Sequence, residues 1–515
     1  MAETTPAAAP ATPLAQLREV RIQKAASLRE LGLNPYPALS HRTHYAAGIT
    51  DSFDAMEGQK VTVAGRLISW RKQGALAFGH ILDQSGAIQL MMRRNTLAPT
   101  DPVAGTLGYS ELNLLDLGDI VEAAGTVGKT QRGEISIMVE SFRLLTKSLR
   151  PLPEKWSGLK DRELILRKRY LDTIVNPENK ETFVAVAKML FAIRSFLNDR
   201  GFLEIPTPIL QPQYGGGTAK PFLTRVNALG CDMYLSISHE LYLKRLIAAG
   251  FDKVFTIGRY FRNEGIDRSH HPEFQMVETM TAYENYEYNM ALIEDMFRQI
   301  ATTVFGRTTF TVRGHEIDFG KPWPRIPMAK ATLDVTGVDF LACQSGDEAN
   351  ELLAGLGLEP QPSIGEAMVA AFQEKVEPTL IQPTLIYGHP MEISPLAKPM
   401  DSDPRLAERF EIFIAGMECG DNWSEQNDPV QLLERWRAAY RPEDRDSGQF
   451  HPLDFDFVEM LEHGMPPTTG IGPGIERMGM IFTGKEDIYD VIFFPLLKPH
   501  LSPVNRAIYG VEEPE

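Results

Sequence analysis

Between residues 61 and 142 the chain changes its hydrophobic period to that of a strand, five times over. The runs "VTVAGRLISWRK", "LAFGHILDQ", "GAIQLMMRR", "DIVEAAGTVGKT" and "GEISIMVESFRLL" are short and separated by Gly, Asp and Asn turns. Five such strands with a long connection before the fourth predict a small closed β-barrel of the oligonucleotide-binding type, and a structural barrel of another class has the same pattern. Its face offers Arg71, Lys72 and Phe78, with Glu134 after the "KTQRG" turn. An aromatic ring beside basic groups can stack a base, and an acid can accept from a base amine. Buried, the same Phe78 would only fill a core.

The rest of the chain is built differently. "LAQLREVRIQKAASLRELG" carries apolar residues at helical spacing and ends at a glycine, which predicts an N-terminal helix. Its Arg18, Arg21, Lys24 and Arg29 form a partly basic face, which a solvated helix also shows. Before it, "MAETTPAAAPATPL" is Ala/Pro/Thr-rich and predicts a disordered tail over residues 1–14. The expected order is then the helix and barrel over 15–149, a Pro- and charge-rich linker over 150–175, and a large second domain over 176–510. Within that domain, the Gly/Pro-broken helical pieces around 325–375 read as an insertion. The net charge of −16 argues against a general polycation for nucleic acid, yet residues 61–150 hold ten basic residues against eight acidic ones. Cys231, Cys343 and Cys419 are too far apart for a knuckle or a disulfide framework, which suits a reducing, cytoplasmic setting. With no run of 18 apolar residues, no membrane span is expected, and no DNA partner either.

In the second domain, "FDKVFTIG" and "MVETMTAYENY" read as strands around the charged loop "RYFRNEGIDRSHHPEF". Carboxylates crowd the apolar strands: Glu240, Glu264, Glu278, Glu411, Glu418 and Glu425. Such acids are rarely buried unless paired or metal-bound. Glu411 and Glu418 flank "EIFIAGME" and read as two acids of one strand without an evident partner. Carboxylates that hold Mg²⁺ and arginines that hold phosphate, here Arg262 and Arg477, make a nucleotidyl-transfer set. No GxxxxGK[ST] sequence is present, so the phosphate site is not a P-loop. A network of structural ion pairs is the competing reading.

Seven segments in order resemble a class II aminoacyl-tRNA synthetase of the bacterial lysyl type. "GFLEIPTPIL" is similar to motif 1, "GRYFRNEG" with "HPEF" to motif 2 and "GIGPGIERM" to motif 3, and "GGGTAKPF", "ELYLKRL" and "EISPLA" match intervening blocks. The resemblance implies an α+β architecture: an OB-fold anticodon-binding barrel, then an antiparallel catalytic sheet flanked by helices. It also implies a homodimer formed around Pro208, with ATP, Mg²⁺, L-lysine and tRNA(Lys) as ligands.

By the same resemblance, Arg262, Glu264 and Arg477 are catalytic. Arg262 falls at the ATP α-phosphate and the amino-acid carboxylate, and Arg477 on the γ-phosphate side. Glu264, His270 and Phe274 fall at nucleotide-contacting positions, Phe274 stacking the adenine. Glu411 and Glu418 match carboxylates that hold Mg²⁺, Glu411 also at the ATP site. Gly216, Glu240, Glu278, Met280, Asp421, Trp423 and Glu425 fall at amino-acid-binding positions, and Arg71, Phe78 and Glu134 at anticodon-reading ones. The chain departs from the pattern at Met280, where a tyrosine is usual, and in "CGDNWSE", where Asp421, Asn422 and Trp423 replace Asn, Gly and Phe. Pro473 and Glu476 replace Ile and Asp. An aspartyl- or asparaginyl-type relative would need a cation in the pocket rather than acids. Two further alternatives are a related ligase for a lysine analogue or a protein lysine, and a non-catalytic RNA-binding paralogue.

Overall fold

The computed structural model describes residues 13–153, 159–217, 219–439 and 453–511. The tail expected over 1–14 lies, up to residue 12, outside the described residues, as do linker residues 154–158. The chain divides into two compact units, residues 1–161 with 498–515, and residues 162–497. The second domain was expected to run to residue 510. Instead its end counts with the first unit, where Arg150 donates to Asn505 (2.9 Å) and to the Tyr509 hydroxyl (3.0 Å) of helix Pro503–Tyr509.

The first unit is a closed five-stranded barrel, ordered β1-β2-β3-β5-β4. Its strands are β1 (Lys60–Gln73), β2 (Leu76–Leu82), β3 (Ala87–Arg93), β4 (Ile120–Lys129) and β5 (Ile135–Thr146). Closure needs β3 to pair in parallel with β5, which the long connection before β4 permits. The inward residues Val63, Leu67, Leu90, Ala123 and Val139 are essentially buried. Helix Pro13–Glu30 packs beside the barrel, and its basic face is used internally. Arg21 donates to the Ser148 and Arg150 carbonyls (3.0 Å each), and Lys24 pairs with Asp116 at 2.7 Å.

Among the described residues the second unit holds thirteen further strands. They are β6 (Leu203–Glu204), β7 (Leu210–Gln211), β8 (Leu223–Val226), β9 (Cys231–Leu235), β10 (Lys253–Phe261), β11 (Glu273–Ala282), β12 (Thr309–Val312), β13 (His315–Asp318), β14 (Arg325–Pro327), β15 (Thr384–Tyr387), β16 (Arg409–Phe413), β17 (Glu418–Ser424) and β18 (Thr468–Pro473). Eight of them form one sheet, ordered β14-β15-β16-β17-β18-β11-β10-β6. Pairing is antiparallel from β15 through to β10, and only the edges, β14 on β15 and β6 on β10, are parallel. One face packs on helices Asn179–Asn198, Tyr286–Phe305 and Ile475–Thr483, with Phe297, Phe310, Phe319 and Phe482 in ring contact between them. Each such buried ring contributes about 1.5–3 kcal/mol, so this face carries the main core, while a smaller apolar cluster joins helix Glu240–Ala248 to Val254, Met280 and Ala282 of β10 and β11.

One expectation about strands changes. "EIFIAGME" is not one strand: Ala415 and Gly416 take positive φ (53° and 66°) and fold it into the β16–β17 hairpin. The "TTGIGPGIERMGMIF" run is strand only to Pro473, and helix Ile475–Thr483 follows. Residues 328–376 are helical and carry their own core around Phe340, Leu353, Met368 and Phe372.

Candidate active site

Register sets the site. Across the middle of the sheet runs β18, whose Gly470 and Gly472, with Gly474 just beyond its end, leave a trough. In one cross-strand row Glu278 lies beside Gly472, which pairs with Asp421, which pairs with Glu411. In the next row Met280 pairs with Gly470, Gly470 with Trp423, and Trp423 with Arg409. A Cβ on Gly470 would meet Met280 Sδ at 2.6 Å, and one on Gly472 would meet Met276 Cε at 2.9 Å. The methionines therefore lean over glycines that no larger residue can replace without displacing them.

At one end of the trough, Arg262 follows β10 with its guanidinium 5.3 Å over the Phe274 ring, and Phe274 stacks on Tyr260 at 5.7 Å. Its buried Nε has no hydrogen-bond partner among the described residues, so a donor is left for an anion. Arg477, on helix Ile475–Thr483, donates to the Glu418 carboxylate (2.5 Å) and to the Glu418 carbonyl (2.8 Å). Its other nitrogen lies 3.2 Å from His270 Nε2, and Asp267 holds His270 Nδ1 at 2.8 Å. Glu264 is exposed in the β10–β11 loop and accepts weakly from the Lys220 amide (3.4 Å).

Glu411 and Glu418 do have partners, against the expectation that they lack them. The hairpin turns Glu411 toward Arg409 (2.8 Å) and His389 (3.2 Å), and Glu418 toward Arg477. Burial works to raise the Glu411 carboxyl, but His389 and Arg409 outweigh it and draw it down to about 2. Glu377, half-buried nearby, is pushed up to about 7 by burial and then by Glu411 and Glu418, so this corner holds an excess of acid. Among the described residues no three His, Cys, Asp or Glu side chains form a metal-holding group.

The other end is an acid pocket. Glu240, at the start of helix Glu240–Ala248, Glu278 on β11 and Glu425 just after β17 are all buried. Glu278 accepts from Ser238 Oγ (2.9 Å) and from the His239 amide (3.0 Å), and burial, then Glu240, pushes its carboxyl up to about 7. Glu425 accepts from Trp423 Nε1 at 2.6 Å, and burial raises it to about 8 although Lys244 opposes the rise. Gly216 (φ 80°) passes so close that a Cβ would meet Glu240 Cβ and Ser238 Oγ at 2.9 Å, so only glycine fits there. Met280 is buried in an apolar cluster with Leu241, Val254 and Leu396. Asp421 accepts from Arg409 at two nitrogens (3.0 and 2.7 Å), and burial, only partly offset by Arg409, brings it up to about 6. Asn422 points through the opposite face, donating to Thr469 Oγ1 (3.1 Å), and so stays out of the pocket.

Sequence reasoning missed Lys244, Arg409, His389 and Glu377. Lys244 had a signal, its i,i+4 spacing from Glu240 on a helix. Arg409 and His389 act across strands, which only the register reveals.

In the barrel, Arg71 pairs with Phe78 across β1 and β2, its guanidinium 5.8 Å from the half-buried ring. Glu134 is held by His80 Nε2 (2.7 Å) and Gln89 Nε2 (2.6 Å), two further residues of that surface. His80 Nδ1 meets Ser69 Oγ at 2.8 Å, and the Ser136 hydroxyl donates to Gln89 Oε1 at 2.7 Å. Pro208 is exposed between β6 and β7.

Residues 161–498 match the family described as tRNA synthetases class II (D, K and N), and residues 61–145 match the OB-fold nucleic acid binding domain. The chain is 46% identical to a lysine–tRNA ligase of Pelotomaculum thermopropionicum over 490 residues, 94% of this chain and 96% of the relative. It is 44% identical to a lysine–tRNA ligase of Carboxydothermus hydrogenoformans, covering 94% of this chain and 99% of that one.

Proposed function

Because the chain belongs to the class II lysyl-tRNA synthetases of the bacterial type, we propose that the trough binds ATP and L-lysine side by side and that the barrel reads the anticodon. The activity is ATP-dependent activation of L-lysine to lysyl-adenylate and transfer of the lysyl group to tRNA(Lys). The observation that carries the site reading is the glycine-floored trough with arginines at one end and buried acids at the other.

A lysine carboxylate oxygen attacks the α-phosphorus of ATP, and the bond to the β-phosphate bridge breaks to release pyrophosphate. In this reading Arg262 neutralises charge on the α-phosphate, and Arg477 and His270 meet the departing phosphates. Phe274, backed by Tyr260, gives the adenine a stacking surface, and Glu264 an acceptor for its amine. Alignment of carboxylate and phosphate replaces covalent catalysis. The tRNA terminal hydroxyl then attacks the lysyl carbonyl and AMP leaves.

Mg²⁺ is bound by one or two carboxylates together with substrate phosphates rather than by an all-protein cage. Glu411 and Glu418 fit that donor set, and the acid excess at Glu377 favours a cation there. Bound, the ion would neutralise phosphate charge. The lysine side reads through Gly216, Glu240, Glu278, Met280, Asp421, Trp423 and Glu425. Among the described residues the cations beside these acids, Lys244 and Arg409, are each taken by two acids, which leaves neither to hold an aspartate side chain.

Arg71, Phe78 and Glu134 form the anticodon surface of this reading, with a carboxylate held in place to accept from a base. A second copy of the chain is assigned to the surface around Pro208. There β6 is a sheet edge, and Leu203, Ile209 and Leu210 are exposed at 53%, 42% and 47%. Cytoplasmic location belongs to the same proposal and is supported by three free cysteines. Pyrophosphate exchange across an amino-acid panel tests the whole. Exchange is expected with lysine well above arginine, aspartate or asparagine, and to be lost on Glu240→Gln. Equal exchange with aspartate, or none with millimolar lysine, overturns the reading.

A further inference from the structure

Lys244 is buried to 1% exposure inside the acid pocket, on the same helix as Glu240 and one turn beyond it. Its ammonium lies 2.5 Å from Glu240 Oε1 and 2.5 Å from Glu425 Oε2, so it ties the helix to the end of β17. The second oxygens, Glu240 Oε2 and Glu425 Oε1, accept no hydrogen bond from any described residue. A lysine this deep is costly unless both its charge and its geometry are matched, and here two carboxylates match it. Around it, Phe457 from helix Phe455–Glu462 closes the apolar side at 5.8 Å. The charged group facing the acids is Glu278 from β11, which Arg262 in turn influences, while the adjacent Arg245 is turned to Asp454 (3.0 Å).

We propose that Lys244 is a positioning residue for the amino-acid substrate: its ammonium holds one oxygen of Glu240 and one of Glu425 and supplies the counter-charge that draws both toward the carboxylate form, leaving their second oxygens for the substrate's ammonium. The inference rests on reading Glu240 and Glu425 as amino-acid-binding residues. Two acids buried this close, with no cation between them, favour holding protons, and a protonated acid is a poor host for an ammonium. Burial already raises both, and Lys244 is the group that opposes the rise in each. Lys244 itself stays charged, because the two acids outweigh its burial.

The test uses full-length protein, Lys244→Met and Lys244→Ala. Lysine affinity of Lys244→Met, measured calorimetrically at pH 7, is expected to fall about 10- to 100-fold, the loss of one charge-assisted contact, with ATP affinity unchanged. Raising the pH to 9 should recover most of it, as the acids ionise without help. Millimolar ethylammonium should restore lysine affinity in Lys244→Ala, by filling the space of the lost side chain, and not improve the wild type. A third arm needs no substrate: carboxylate NMR of the ligand-free enzyme should show the Glu425 titration moved upward in Lys244→Met. If the variants do not fold, the wild type still decides, because Lys244 must remain an ammonium from pH 6 to 9. Unchanged lysine affinity at pH 7 overturns the proposal. So does a deficit equal at every pH and unrelieved by ethylammonium, an unmoved Glu425, or a neutral Lys244 amine. Should the wild type itself bind no lysine, the functional reading falls, while the NMR arm still judges the role of Lys244.

Discussion

Arg409 is the shared cation of two acids, and replacing it with methionine isolates one of them. In the native site it donates to Asp421 through Nε (3.0 Å) and Nη2 (2.7 Å), to Glu411 (2.8 Å) and to Ser394 Oγ (3.1 Å). Glu411 keeps His389 in the variant, whereas Asp421 loses its one ion-pair partner among the described residues. Stranding a buried charge costs about 3–5 kcal/mol. Asp421 keeps 31% of its side chain exposed, so water takes up part of that loss and about 2–3 kcal/mol is expected. The pH dependence follows from its titration. Asp421 is raised to about 6 even with Arg409 present, so the folded chain holds its proton more tightly than the unfolded chain does. Stability contributed by that proton is lost as pH rises from the ordinary carboxylate range to the folded value. Without Arg409 the folded value moves higher and the window extends upward. The Arg409→Met deficit should therefore be small at pH 5 and full by pH 8. Calorimetry at pH 8 should show the transition of the 162–497 unit lowered by roughly 3–6 °C. Adding Asp421→Asn should return most of it, since a neutral amide has no charge to strand. A double variant no more stable than Arg409→Met, or a deficit independent of pH, refutes this account.

Other substitutions probe the remaining assignments. Phe78→Ala should weaken tRNA charging by the ~1–3 kcal/mol of one stacked base, read as a rise in the KM for tRNA, while lysine-dependent pyrophosphate exchange stays at the wild-type rate; equal charging kinetics would remove Phe78 from anticodon reading. Glu411→Gln and Glu418→Gln should each lower exchange steeply and raise the Mg²⁺ concentration needed for half-maximal rate, with tRNA affinity unaltered, and an unshifted Mg²⁺ titration would count against the metal assignment. If the proposed dimer forms through the Pro208 surface, Leu210→Asp should shift it toward monomer in analytical ultracentrifugation, because a charge placed on that exposed apolar edge must be buried on association; a stable dimer would place the interface elsewhere, and a monomeric wild type would remove the dimer itself.

Local pattern accounts for what was legible along the chain. Alternation at period two is a property of neighbouring residues, so the five barrel strands and the β10–β11 hairpin could be read directly. The pocket acids stood out for the same reason, as charges set among apolar strand residues. The partners of those acids were not legible, because pairing depends on register between segments far apart in sequence. Met280, Gly470, Trp423 and Arg409 form one row only after β11, β18, β17 and β16 are laid side by side. The "EIFIAGME" run looked like one strand because its turn is made by Ala415 and Gly416 in positive-φ backbone, and alanine carries no turn signal. That turn gives Glu411 and Glu418 different arginines. The sequence by itself determined which segments become strands and which charges they carry. Tertiary structure alone decided which charges neutralise one another, since an ion pair depends on distance and burial, and neither is a local quantity.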